Sequence, residues 1–129
     1  MNAEEIRIFA LSFPETEECF PFDEVTLVFK VAGKMFLLLA LDKHPLRFNA
    51  KASAENALEL REKYPNSILP GYHMNKTYWN TIICDGSLEY SLYENLILNS
   101  YKEVLGGLPK KKREHIMSFP GRHHSGDER

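Results

Sequence analysis

The sequence predicts an α+β domain in which an antiparallel sheet carries its helices on one face and leaves the other open. Three observations predict it. Strand-like runs at residues 25–31, 34–41 and 46–51 follow one another through links too short for a crossover helix, so neighbouring strands must run antiparallel. Helical stripes stand at both ends and once between the third and fourth strands, giving the order α-β-β-β-α-β-α. A chain of 129 residues with 43% hydrophobic content suits one domain, because two halves would each bury too little core.

The first helix spans residues 3–12. Asn2 caps it, Glu5 reaches back three positions later, and Ile6, Phe9, Ala10 and Phe13 recur at helical spacing until Pro14 stops it. Residues 15–23 are acidic and contain Pro21, which reads as a connecting loop. The first strand then alternates, with Val25, Leu27, Phe29 and Val31 on one face and Thr26, Val28 and Lys30 on the other. Ala32-Gly33 forms a hairpin turn, and the return strand at 34–41 is continuously apolar, as a covered central strand would be. In the third strand Leu46, Phe48 and Ala50 alternate with Arg47, Asn49 and Lys51.

Ser53 caps a helix at 54–64 that Pro65 ends, and residues 66–77 are a loop or irregular strand rich in Pro, Gly and Asn. A fourth strand occupies 78–85. Asp85-Gly86 turns the chain, Ser87 caps a long last helix, and Gly106-Gly107 with Pro109 frame its end. The domain is expected to cover residues 1–115, with 116–129 a flexible tail.

Composition narrows the function. The longest apolar run, at 35–41, is too short to span a membrane, and no signal peptide pattern opens the chain, so a cytoplasmic protein is expected. Cys19 and Cys84 stand far apart, without companions at zinc-site spacing. The net charge of −2 is unevenly spread: one base faces seven acids in residues 1–25, whereas eight bases face four acids in residues 26–80. No nucleophile–base pair, two-carboxylate site, Gly-rich phosphate loop or metal cluster is apparent, so neither enzyme activity nor a cofactor is expected. The acidic stretch 15–24 reads as a solvated charge run, with metal binding as its remote alternative.

Two groups of residues are candidates for binding. Lys30, Arg47, Asn49 and Lys51 share the polar side of their strands, where side chains can meet phosphates, although the solvated side of any antiparallel sheet looks similar. The segment 70–81 mixes His73, Asn75, Lys76 and Asn80 with Tyr72, Tyr78 and Trp79, combining hydrogen-bonding groups with stacking surfaces. Trp79, opening a strand, fits a packing anchor better than a contact. The run Lys110 to Arg113 adds a basic cluster beside the last helix.

The run His73-Met74-Asn75-Lys76-Thr77-Tyr78-Trp79-Asn80-Thr81, followed by Asp85-Gly86-Ser87-Leu88, resembles the signature of the MmcQ/YjbR family. Leu60-Arg61, Ser100-Tyr101 and Leu108-Pro109 are similar too, so the resemblance covers residues 1–115. It implies a frataxin-like, "double wing" α+β fold whose saddle of strands lies against DNA, and no catalytic role for any signature residue.

Together these readings lead to a non-catalytic DNA-binding domain, without cofactor or metal and monomeric by preference. Lys30, Arg47, Lys51 and Lys76 would face phosphates, with Asn49 beside them on the open face, and His73, Asn75 and Asn80 would orient the duplex. The alternative is a protein-interaction or small-ligand module built on a pocket around His73 and Trp79.

Overall fold

The computed structural model describes residues 1–118. Its elements run α1 (Ala3–Leu11), β1 (Thr16–Cys19), β2 (Thr26–Val31), β3 (Lys34–Ala40), β4 (Leu46–Lys51), α2 (Ala54–Lys63), β5 (Ile68–Pro70), β6 (Trp79–Cys84), α3 (Tyr90–Gly106) and α4 (Lys110–Met117). The six strands form one sheet in the order β1-β2-β3-β4-β6-β5, with every neighbouring pair antiparallel. The α+β class is therefore as the sequence predicts, with two further strands and one further helix.

Capping explains where the early helices begin. The Asn2 side chain accepts from the Glu5 N–H at 2.8 Å while the Glu5 carboxylate accepts from the Asn2 N–H at 2.9 Å, a reciprocal box that satisfies two orphan donors of α1. Ser53 caps α2 through Asn56 N–H. The long helix departs from expectation: Glu89, not Ser87, precedes it, and Ser87 closes the Asp85 turn with its N–H on the Asp85 carboxylate.

All four helices lie on one face. Alternation sends Leu27, Phe29 and Val31 of β2, Phe48 and Ala50 of β4 and Ile82 of β6 toward Ile6 and Ala10 of α1 and the apolar stripe of α3. Ile116 of α4 is 2% exposed in the same core, so the packed body reaches past residue 115. Residues 119–129 of the expected tail lie outside the described residues.

Strand β1 falls where a loop was expected. Its four residues, Thr-Glu-Glu-Cys, carry no apolar pattern, and pairing with β2 in the register Thr16↔Val31 to Cys19↔Val28 makes the strand. Glu18 accepts two hydrogen bonds from Arg7 of α1, at 2.7 and 2.6 Å, and this contact raises the Arg7 pKa. The acidic run is thus in part a tether rather than a solvated face. Among the described residues no group of three His, Cys, Asp or Glu side chains is placed to hold a metal ion.

A bulge explains the unbroken apolar run of β3. Leu37 lies opposite Phe29 and Met35 opposite Lys30, so Phe36 is an extra residue. Phe36 and Leu37 consequently both face the core, while Met35 and Leu38 face the other side. A bulge leaves backbone groups without ladder partners. The buried Ser100 hydroxyl of α3 donates to the Phe36 carbonyl and accepts from the Lys51 N–H at 2.7 Å, joining β3, β4 and α3 at one point.

Cys84, at the end of β6, packs against the core, and burial pushes its thiol up to about 12. Thiolate is then scarce at ordinary pH. Iodoacetamide at mildly alkaline pH should leave Cys84 unmodified in the folded protein and alkylate it in urea, as peptide mass mapping would show.

Candidate functional site

The side of the sheet away from the helices is open only in part. Val28 is fully buried there and Leu38 nearly so, packed with Trp79 and with the partly buried Cys19, Met35 and Met74. The cover is the loop between β5 and β6, residues 71–78, which folds back across the strands instead of extending into solvent. Continuous apolarity in β3 carried this information already, because an apolar Leu38 on the polar face needs a lid.

Four sets of contacts seat the loop. The Tyr72 N–H donates to the Thr81 hydroxyl at 3.0 Å, Thr81 donates to the Asn49 side chain, and Asn49 donates to the Tyr72 carbonyl at 3.2 Å, a closed ring of bonds between loop, β6 and β4. The Lys76 ammonium donates to the Gly71 carbonyl at 3.0 Å, and Asn75 accepts from the Thr77 N–H at 2.9 Å. Arg61 of α2 donates to the Lys76 carbonyl at 2.7 Å and to the side chain of Asn80. Gly71 lies against Trp79: a Cβ there would stand 2.8 Å from both the Trp79 Cβ and its carbonyl oxygen.

Between this loop and the segment joining β1 to β2 lies a cleft of about 440 Å³. Leu38, Ala40, Arg47, Asn49 and Thr81 form its floor. Tyr72, His73 and Met74 make one wall, and Phe22, Asp23 and Val25 the other. Tyr72 and Phe22 are 65% and 63% exposed, so both walls offer aromatic surface to solvent. The Tyr72 and His73 rings sit 3.9 Å apart at a 44° tilt, and His73 holds a left-handed backbone with φ of +59° that fixes the bend of the wall.

Charge in the cleft is mixed. Asp23 accepts from the Val25 N–H at 3.0 Å, the Thr26 N–H at 2.7 Å and the Thr26 hydroxyl at 3.1 Å, and the backbone bonds hold its carboxyl below the usual range. Lys43 and Asp42 stand at the β3–β4 turn. Arg47 is half-buried, and its Nε is a buried donor with no hydrogen-bond partner.

These positions sort the candidates from the sequence. Lys30, Arg47, Asn49 and Lys51 do share one face, as strand register requires. Asn49, however, is spent on the loop. Asn80 is 2% exposed on the opposite, helix-bearing face, donating to the Ala57 carbonyl of α2 at 3.1 Å, so no ligand on the far side can reach it. Asn75 and Lys76 are likewise engaged in building the loop. Trp79 is the buried anchor beneath it, not a pocket wall, and Tyr78 does not line the cleft. Phe22, Asp23 and Thr81 were missed; only the fold brings residues 22–23 beside residue 72.

The model of a family described as YjbR matches residues 11–103, a stretch that contains every cleft residue. The chain belongs to the YjbR family. Among YjbR relatives, the uncharacterized protein YbdF of Escherichia coli O157:H7 is 35% identical over 107 residues, covering 83% of this chain and 87% of its own. The uncharacterized protein YjbR of Escherichia coli K12 is 28% identical over 119 residues, covering 92% of this chain and all of its own. The crystal structure of the Deinococcus radiodurans protein DR2400 superposes with a TM-score of 0.86 at 34% identity, covering 99% of this chain and 95% of that one. A Pseudomonas syringae protein gives 0.68 at 25% identity, over 80% and 98% of the two chains. In this YjbR chain, the segment that carries the family resemblance is chiefly scaffolding: Asn75, Lys76, Trp79 and Asn80 hold the loop, and His73 alone of the nominated set reaches the cleft from it. Among the described residues no helix is long and apolar enough to cross a membrane.

Proposed function

We propose that this chain is a binding module for a small ligand, with the cleft between the 71–78 loop and the β1–β2 segment as its site. The cleft itself carries the reading. Its volume of about 440 Å³ lies in the range of ligand pockets, and its apolar walls with a few convergent polar groups match what such pockets need. The exposed Tyr72 and Phe22 would cover the faces of a flat group.

The DNA reading keeps one supporting observation, the shared face of Lys30, Arg47 and Lys51. It loses Asn80 as a contact, because that side chain is buried on the helix-bearing face. Backbone-amide NMR separates the two readings. Titration with neutral indole should shift Leu38, Asn49 and residues 72–74 and leave Lys30 and Lys51 unmoved. A random duplex that shifts Lys30 and Lys51 instead, with an effect that fades as salt rises, would establish the nucleic-acid reading in its place.

A further inference from the structure

We infer that the cleft selects a small singly charged anion bearing a flat apolar group, with Arg47 as the residue that holds its charge. This rests on the cleft being a ligand site and adds the chemistry of what it takes. Among the described residues, Arg47 Nε is the buried side-chain donor left without a partner. The Nε itself is closed to solvent, but Arg47 lines the cleft and its guanidinium forms no hydrogen bond or ion pair among the described residues. A guanidinium is charged at every working pH and offers a planar fork of donors, so the terminal nitrogens of an unpaired one at the floor of a cleft can take an oxyanion.

The nearby acids do not supply one. Among the described residues no ion pair joins Asp23 or Asp42 to Arg47. Asp23 is already committed to Val25 and Thr26. Ala40, the cross-strand neighbour of Arg47, also lines the cleft and brings only a methyl group beside it.

Lys43 and Arg47 are offset by Asp23 and Asp42, so the lining carries no surplus of positive charge: one negative charge is held by the local contact at Arg47, and a second, as a phosphate monoester would carry, meets no further uncompensated base. The apolar remainder of the ligand would lie on Leu38 and Met74 against Tyr72.

The test is calorimetric and NMR titration with phenylacetate, its neutral amide phenylacetamide, and phenyl phosphate, on the wild type and on Arg47→Gln, whose melting is checked alongside. Phenylacetate should bind the wild type about tenfold more tightly than the amide, and Arg47→Gln should abolish that difference while still binding the amide. Equal binding of acid and amide, with shifts at Leu38 and Tyr72, overturns the charge selection and leaves the cleft reading standing. Tighter binding of phenyl phosphate than of phenylacetate overturns the single-charge argument. No shift from any of the three overturns both readings. The wild-type comparison of acid with amide decides the matter even where the variant melts.

Discussion

Gly71→Ala is expected to lower stability by about 3 kcal/mol, the upper end of what overpacking by one methyl costs. The new Cβ would meet the Cβ and carbonyl oxygen of Trp79 at 2.8 Å, and one of these is backbone in a strand. Gly71 N–H also donates to that carbonyl at 2.9 Å, so the pair cannot separate without losing a bond. Relief must come from the loop, which carries Tyr72, His73 and Met74. Urea denaturation should show the loss, and amide shifts of residues 72–74 should show the displaced wall. Gly106→Ala is the control: nothing lies within 4 Å of its added Cβ, and it should be neutral or stabilising.

Ser100→Ala should be as damaging by a different route. No atom is added, and the cavity is smaller than a water. Yet the Phe36 carbonyl and the Lys51 N–H lose their shared partner inside the protein. Each orphaned buried group costs about 1–3 kcal/mol, so a total loss of about 2–6 kcal/mol is expected in chemical denaturation. Hydrogen exchange at the Lys51 amide should quicken beyond the global change. A loss below about 1 kcal/mol would mean that the bulge finds another way to satisfy these groups.

Much of the fold was legible because local and tertiary preferences agree. The Asn2–Glu5 box, the Ser53 cap, the Ala32-Gly33 turn and the alternation of Leu46 to Lys51 each state in a few residues what the structure builds. Strand β1 was illegible because Glu17 and Glu18 carry no strand pattern; pairing with β2 alone makes them extended. Helix α4 hid within a basic run, since its one buried side chain, Ile116, gives no periodicity. The bulge at Phe36 was also hidden, because a continuous apolar stretch reads the same with or without an extra residue.

The site was half legible. Arg47 and His73 stood out as chemistry without a local purpose, and both line the cleft. Asn49, Asn75, Asn80 and Lys76 stood out equally, yet their purpose is internal. A polar side chain that ties a loop and one that meets a ligand look alike until its partner is placed. Phe22 and Asp23 gave no sign of lining a cleft, because the wall they face, Tyr72 to Met74, is some fifty positions away in the chain.

Strand order has a consequence for how this protein behaves at high concentration. The two outermost strands are the shortest kind a sheet can end on: β5 has three residues and finishes in Pro70, which offers no N–H, and β1 has four, two of them glutamates. An incoming strand would find too few free donors on one side and like charges to desolvate on the other. The longer β2 and β3, rich in apolar residues, are sealed in the interior of the sheet, out of reach of edge-to-edge growth, so the segments best suited to pair with another chain are those the topology never leaves at a border.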